Sequence, residues 1–127
     1  AMFCKDNADN PAMSEYVNSL NSYSKQWQVI TGDVGKKAMS NADEIGGASV
    51  DYLMFAGYVT LGYFWAKMAS VAQSKLADSE DKAFYEAKIK TATFYFQRIL
   101  PRAQGHAACI EGGVDSMMAL DSEDFSF

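Results

Sequence analysis

The stretch YLMFAGYVTLGYFWAKMA, residues 52–69, is almost wholly apolar and aromatic and carries Gly57 and Gly62 where a helix has no need of glycine. Such a segment must be covered by lipid, by its own chain or by a partner. A membrane span takes about 20 apolar residues free of charge. The best window, 48–66, contains Asp51, and a buried acid there costs about 2.5–3.5 kcal/mol on insertion scales. Tyr52, Tyr58, Thr60 and Tyr63 weaken the span further. Read by position, Thr60, Tyr63, Lys67, Ser70 and Ser74 recur at spacings of 3, 4, 3 and 4 and form one narrow polar stripe, which leaves Phe55, Val59, Gly62, Ala66 and Ala69 free to face protein. The pattern predicts the central helix of a water-soluble bundle, buried over most of its girth with one thin wet edge. A helix-interior glycine costs about 1 kcal/mol against alanine, so Gly57 and Gly62 are expected to mark close approach of neighbouring helices.

The flanking segments support a bundle. Asn10-Pro11 places a capping residue before a proline at the first helical position. Met13, Tyr16, Leu20, Tyr23, Trp27, Ile30 and Val34 then alternate at spacings of 3 and 4, one apolar seam on an amphipathic helix. Gly32 and Gly35 predict a break near 32–35. Asn41 with Glu44 resembles a capping box and starts the second helix, with Ser49 as the alternative start because Gly46 and Gly47 cost helicity; the segment runs to about Leu76. After the acidic stretch 78–81, whose charges favour a helix N-terminus, a third helix is predicted over 79–111. Its seam is Tyr85, Ile89, Ala92, Phe96, Ile99, Ala103, Ala107 and Ile110. Pro101 cannot donate to the Gln97 carbonyl, so this helix is expected to bend there, and Gly112-Gly113 to end it as a left-handed cap. In the tail, one short helix is expected, with Val114, Met117, Met118 and Leu120 covering the end of the bundle.

The fold class that follows is all-α: an antiparallel bundle of three long helices, the first broken near 32–35, plus a short C-terminal helix. Residues 1–10 are expected to be disordered or extended and 11–127 to form a single domain. A chain of 127 residues is long enough for one core, and with 49% hydrophobic residues it is not disordered. A net charge of -5 argues against a nucleic-acid face. No basic segment followed by an apolar one opens the chain, and Ala1 before Met2 reads as a cleavage remnant. Cys4 and Cys109 are expected to be free thiols of a cytoplasmic protein, with Cys109, near the third seam, a small buried one.

Chemistry-bearing constellations are sparse. His106 is the sole histidine, where catalytic triads and most metal sites need more; it is expected at the surface or a helix end. No Glu-x-x-His pair supports a di-iron bundle, and no phosphate-binding glycine motif or nucleophile elbow is present. Glu15, Glu86 and Glu111 have no partner acid or base in view and are expected on solvated faces. Met54, Met68, Tyr58, Phe64 and Trp65 have helical spacing and are expected in core or interface packing. No catalytic, cofactor-binding or metal-binding residue is therefore assigned.

One resemblance covers residues 12 to 125. Tyr52-Leu53, Phe55 to Gly57, Gly62 to Trp65, Met68-Ala69, Phe84-Tyr85, Lys88, Ala92 to Tyr95, Leu100-Pro101, and Met118 to Asp121 with Phe125 are similar in order and spacing to the domain at the extreme C-terminus of bacterial acyl-CoA dehydrogenases, the acetyl-CoA dehydrogenase C-terminal-like domain. The resemblance implies a helical appendage to an enzyme that oxidises an acyl-CoA thioester to the enoyl-CoA with FAD and a glutamate base. Flavin, thioester site and base would all lie in upstream domains, so no cofactor is expected in this chain and no catalytic residue carries over. The chain would be an excised fragment or a truncated reading frame, with the upstream domains as partner and a homodimer as a further assembly. Phe94, Tyr95 and Tyr58, which exceed one seam, are the expected docking aromatics. The alternative is a free-standing helical module that binds an apolar ligand or a partner helix in a closed cavity.

Overall fold

The computed structural model describes residues 2–126; Ala1 and Phe127, the outer ends of the two expected segments, lie outside that range. Among the described residues every regular element is helical: α1 (Met2–Asp6), α2 (Ser14–Ala38), α3 (Asp43–Leu76), α4 (Lys82–Phe94) and α5 (Ala103–Glu111), with shorter turns between and after them. α3 is the central element and packs against α2, α4 and α5. Its 34 residues make a rod of about 50 Å. Short connections fold α2 and α4 back along it. Trp27 bonds to Tyr52 while Gln73 reaches the Ala12 carbonyl, so α2 and α3 run antiparallel.

The first seam packs as its spacing predicts. Met13, Tyr16, Leu20 and Ile30 are buried, and Tyr23, Trp27 and Val34 pack against the core. Asn10 caps the 3-10 turn Pro11–Met13 by accepting from the Ala12 amide, which leads into α2. The expected break at 32–35 does not occur. Gly32 and Gly35 lie within one continuous α2: Ile30 and Val34 anchor both sides of Gly32 on the core, against a propensity cost of about 1 kcal/mol for each glycine. Nor is the N-terminal segment extended. Met2–Asp6 is helical, and Phe3 and Cys4 pack on the core, with the Phe3 ring edge-on to Tyr63.

α3 begins at Asp43 rather than at Ser49. The Asn41 side chain accepts from the Asp43 amide, but the Glu44 amide bonds to the Asn41 carbonyl and the Asn41 amide to Lys37, so the expected capping box does not form. The third predicted helix starts at Lys82, where the Asp81 side chain accepts from the Phe84 amide. It is one path of chain but not one α-helix. A π turn (Tyr95–Ile99) and a 3-10 turn (Leu100–Arg102) join α4 to α5. The Leu100 amide reaches back to the Tyr95 carbonyl, so the chain widens just before the proline that has no donor to give. Tyr95, Phe96 and Leu100 all turn inward, on the face that the buried Ala92 begins.

The deepest large side chains are Phe55, Met13 and Leu100. Tyr23 and Trp27 flank Phe55 with ring centroids 6.3 Å away in each case. At the far end α5 closes on Gly112, and Gly113 takes a φ of 72°, the left-handed cap that glycine accommodates without strain. Val114 is then buried against Gly47. The tail departs from expectation: its short helix is the 3-10 turn Ser122–Phe125, and Met117, Met118 and Leu120 stay exposed.

Candidate assembly surface

Three lengthwise strips divide α3. One faces the bundle and consists of Ala48, Phe55, Val59, Gly62, Ala66, Ala69 and Ala72. Small residues dominate it, so neighbouring helices approach closely. A methyl group at Gly62 would stand 3.6 Å from both Leu100 and Tyr95, the close approach its glycine predicts. A second strip is the polar line of Thr60, Tyr63, Lys67, Ser70 and Ser74.

The third strip overturns the expectation of a helix buried over most of its girth. Val50, Met54, Leu61, Phe64, Met68 and Val71 are all exposed, from 39% at Met68 to 71% at Val50. Gly57 lies among them with open space beyond its Cα, so it marks no helix contact within the chain. Among the described residues no helix covers this strip, and α4 flanks only its C-terminal half. The strip widens into an open groove of about 400 Å³ between α3 and α4, lined by Phe64, Met68, Val71 and Phe84 with Lys67 and Lys88 at its rims. Each lysine lies over an aromatic ring, Lys67 at 5.6 Å from the centre of Tyr63 and Lys88 at 5.0 Å from that of Phe84, which keeps the groove floor apolar and its edges positive. Continuous exposed apolar surface of this kind marks an interaction site.

Of the three aromatics expected to dock, only Phe94 is exposed. Tyr95 is buried and donates its hydroxyl to the Tyr58 carbonyl at 2.8 Å. Burial, with Tyr58 adding to it, pushes the Tyr95 phenol up to about 12, so it remains a donor. Tyr58 is half-buried and stacked on His106. Tyr95 follows the buried Ala92 by three positions and shares its face, whereas Phe94 lies on the opposite one.

His106 is not a bare surface residue. Its Nδ1 lies 2.7 Å from Asp51 Oδ1, with both side chains about a third exposed or less, and the pair ties α5 to α3. Asp51, the charge that argues against a membrane span, thus has a partner 55 positions away, which no local pattern could reveal. Glu15 accepts from Gln97 and Glu86 lies 3.9 Å from Lys90, both exposed. The Glu111 carbonyl accepts from Lys37. Cys4 and Cys109 are free thiols, and Cys109 is exposed rather than buried, because α5 turns Ala103, Ala107 and Ile110 inward instead. Among the described residues no group of three or more acidic, histidine or cysteine side chains is placed to hold a metal, and no helix is long and apolar enough to cross a membrane.

Comparison with known proteins gives two matches. The family described as acetyl-CoA dehydrogenase C-terminal like matches residues 1–121. The broad-specificity linear acyl-CoA dehydrogenase FadE5 of Mycobacterium tuberculosis is 31% identical over 85 residues, covering 65% of this chain and 14% of that protein. The matched region is thus a small part of the relative's length.

Proposed function

The chain belongs to the acetyl-CoA dehydrogenase C-terminal-like family, and from that premise we propose that it is the accessory and assembly domain of an FAD-dependent acyl-CoA dehydrogenase, without catalysis of its own. In the parent reaction an acyl-CoA loses two hydrogens to become the enoyl-CoA, and FAD supplies the electron acceptor from the upstream domains. The observation that carries the proposal is the apolar surface left exposed along α3 and at Met117, Met118, Leu120 and Phe125, on a chain that matches only 14% of a relative's length. A bundle that completes its core on one side and leaves a row of large apolar residues on the other is built to be covered by protein.

One groove, about 630 Å³ between α2, the start of α3 and the end of α5, is poorly matched to a flavin dinucleotide: it is lined by Asp33, Glu44, Glu111 and Asp115 against Lys36 and Lys37. That balance repels a pyrophosphate, and Lys37 is already engaged by the Glu111 carbonyl. The groove between α3 and α4 is open, unlike the closed cavity expected of a free-standing module.

The test pairs the purified chain with a dehydrogenase of this family truncated before its C-terminal domain. The expected results are no flavin absorbance and no acyl-CoA-dependent dye reduction by the chain alone, together with co-elution of chain and truncated enzyme. Flavin-dependent turnover by the chain, or failure of the two to associate, would overturn the proposal. The cytoplasmic location of the parent enzyme is part of the same proposal.

A further inference from the structure

The exposed strip of α3 has a regularity beyond mere exposure. Met54, Gly57, Leu61, Phe64, Met68, Val71 and Lys75 follow Val50 at spacings of 4, 3, 4, 3, 4, 3 and 4. This is an unbroken seven-residue repeat through 26 residues of a single helix, about 39 Å of rise. A flat protein surface asks only for apolar residues. A strict 3.5 period asks for another helix lying alongside.

From this we infer, resting on the assembly role, that the strip pairs with the same strip of a second copy, the two α3 helices running antiparallel about a two-fold axis. The sequence of the strip is self-complementary in that direction. With the axis between Gly62 and Tyr63, Leu61 meets Phe64 of the other copy, Met54 meets Val71, and Gly57 meets Met68. The open notch at Gly57 thereby receives a long, adaptable side chain, which accounts for a glycine that nothing within the chain explains. Lys75, the one charge in the repeat, falls opposite Val50 at the end of the seam, where its ammonium can reach water. Antiparallel pairing also opposes the two helix dipoles and turns the Lys75 end of one helix toward the Asp43–Glu44 end of the other. Lys67, beside the seam, falls nearest Thr60 of the other copy, so no like charges meet. A two-fold interface of this kind is isologous and closes at two copies. The exposed tail residues Met117, Met118, Leu120 and Phe125 remain available to the upstream domains.

Cysteine cross-linking of the 127-residue chain tests register and direction together. In a background with Cys4→Ser and Cys109→Ser, a variant with both Met54→Cys and Val71→Cys is expected to form a covalent dimer under mild oxidation. Met54→Cys alone, which would link two parallel helices, is expected to stay uncoupled. Light scattering on the unmodified chain is expected to give a dimer. Leu61→Glu, exposed in the single bundle and so compatible with its folding, is expected to weaken that dimer by about 100-fold or more. A chain that stays monomeric at high concentration, or a dimer that couples through Met54→Cys alone, overturns the inference. The two levels separate cleanly: a monomer that still binds the truncated dehydrogenase refutes the antiparallel pair and leaves the assembly role standing, and a dimer that does not bind it does the reverse.

Discussion

His106 Nδ1 and Asp51 Oδ1 share a hydrogen bond of 2.7 Å, and the Tyr58 ring stacks on the imidazole with centroids 5.7 Å apart. One residue of α5 is thus held by two residues of α3, spaced seven apart on one side of the helix. Asp51 accepts as a carboxylate, so the His ring must carry its proton on Nδ1. Partial exposure limits what the pair contributes. A double-mutant cycle of Asp51→Ala and His106→Ala, read by chemical denaturation, is expected to give a coupling of about 0.5–1.5 kcal/mol. A coupling of zero would mean that the two side chains merely lie together.

Tyr95 couples pH to stability at the alkaline end. Its phenol titrates near 10 when unfolded and is pushed up to about 12 in the fold by burial, with a smaller contribution from Tyr58. The folded state therefore holds a proton that the unfolded state gives up first. Stability contributed by this group is fully present below pH 10 and is lost as pH rises from about 10 to 12. Tyr95→Phe removes the ionisation and the bond to the Tyr58 carbonyl together. The variant is expected to lose about 0.5–1.5 kcal/mol at neutral pH and to show a flatter decline in melting temperature above pH 10 than the parent chain.

The contrast between these residues shows what the sequence could disclose. The seams of α2 and of the α4–α5 path were legible because side chains three and four positions apart share a helix face whatever lies across from it. The Asn10 cap and the Gly113 left-handed turn were legible for the same reason, since each is a local backbone requirement. The π turn was not, because the cue at Pro101 announces a missing donor but not how the chain absorbs it. The exposed strip of α3 was hidden by the assumption that apolar means buried. Its 3.5 period stood in the sequence all along, but only the bundle shows that among the described residues no helix covers it. The Asp51–His106 pair joins positions that no periodicity connects.

Glycines separate by what surrounds them. A methyl group at Gly32 meets nothing within 4 Å, whereas one at Gly47 would stand 3.0 Å from Val114 Cγ2. Both lie inside helices, so alanine relieves the backbone entropy cost at each. At Gly32 nothing opposes the gain, and Gly32→Ala is expected to stabilise the chain by about 0.5–1 kcal/mol. At Gly47 the gain is opposed by displacement of Val114, the buried residue that closes the bundle's end. Gly47→Ala is expected to melt below Gly32→Ala and to increase amide exchange in the tail after Gly113. Equal melting temperatures for the two variants would show that Val114 moves aside freely.

Phe55 and Phe64 lie nine positions apart on the same helix and are expected to behave as different kinds of residue. Phe55 is fully buried among Tyr23, Trp27 and the α3 core strip, so Phe55→Ala should cost about 3–5 kcal/mol through lost transfer energy and the cavity left behind. Phe64 is 51% exposed, with its ring against Tyr63 and the edge of the groove. Measured at a concentration too low for self-association, Phe64→Ser should change the folding free energy by about 0.5 kcal/mol or less. At high concentration the order reverses in kind. Phe55→Ala chains that remain folded should associate like the parent, whereas Phe64→Ser should lose association, because Phe64 faces Leu61 of the other copy. A large folding penalty at Phe64 in dilute solution would place it in the core of the single bundle and remove the strip from the surface available for assembly.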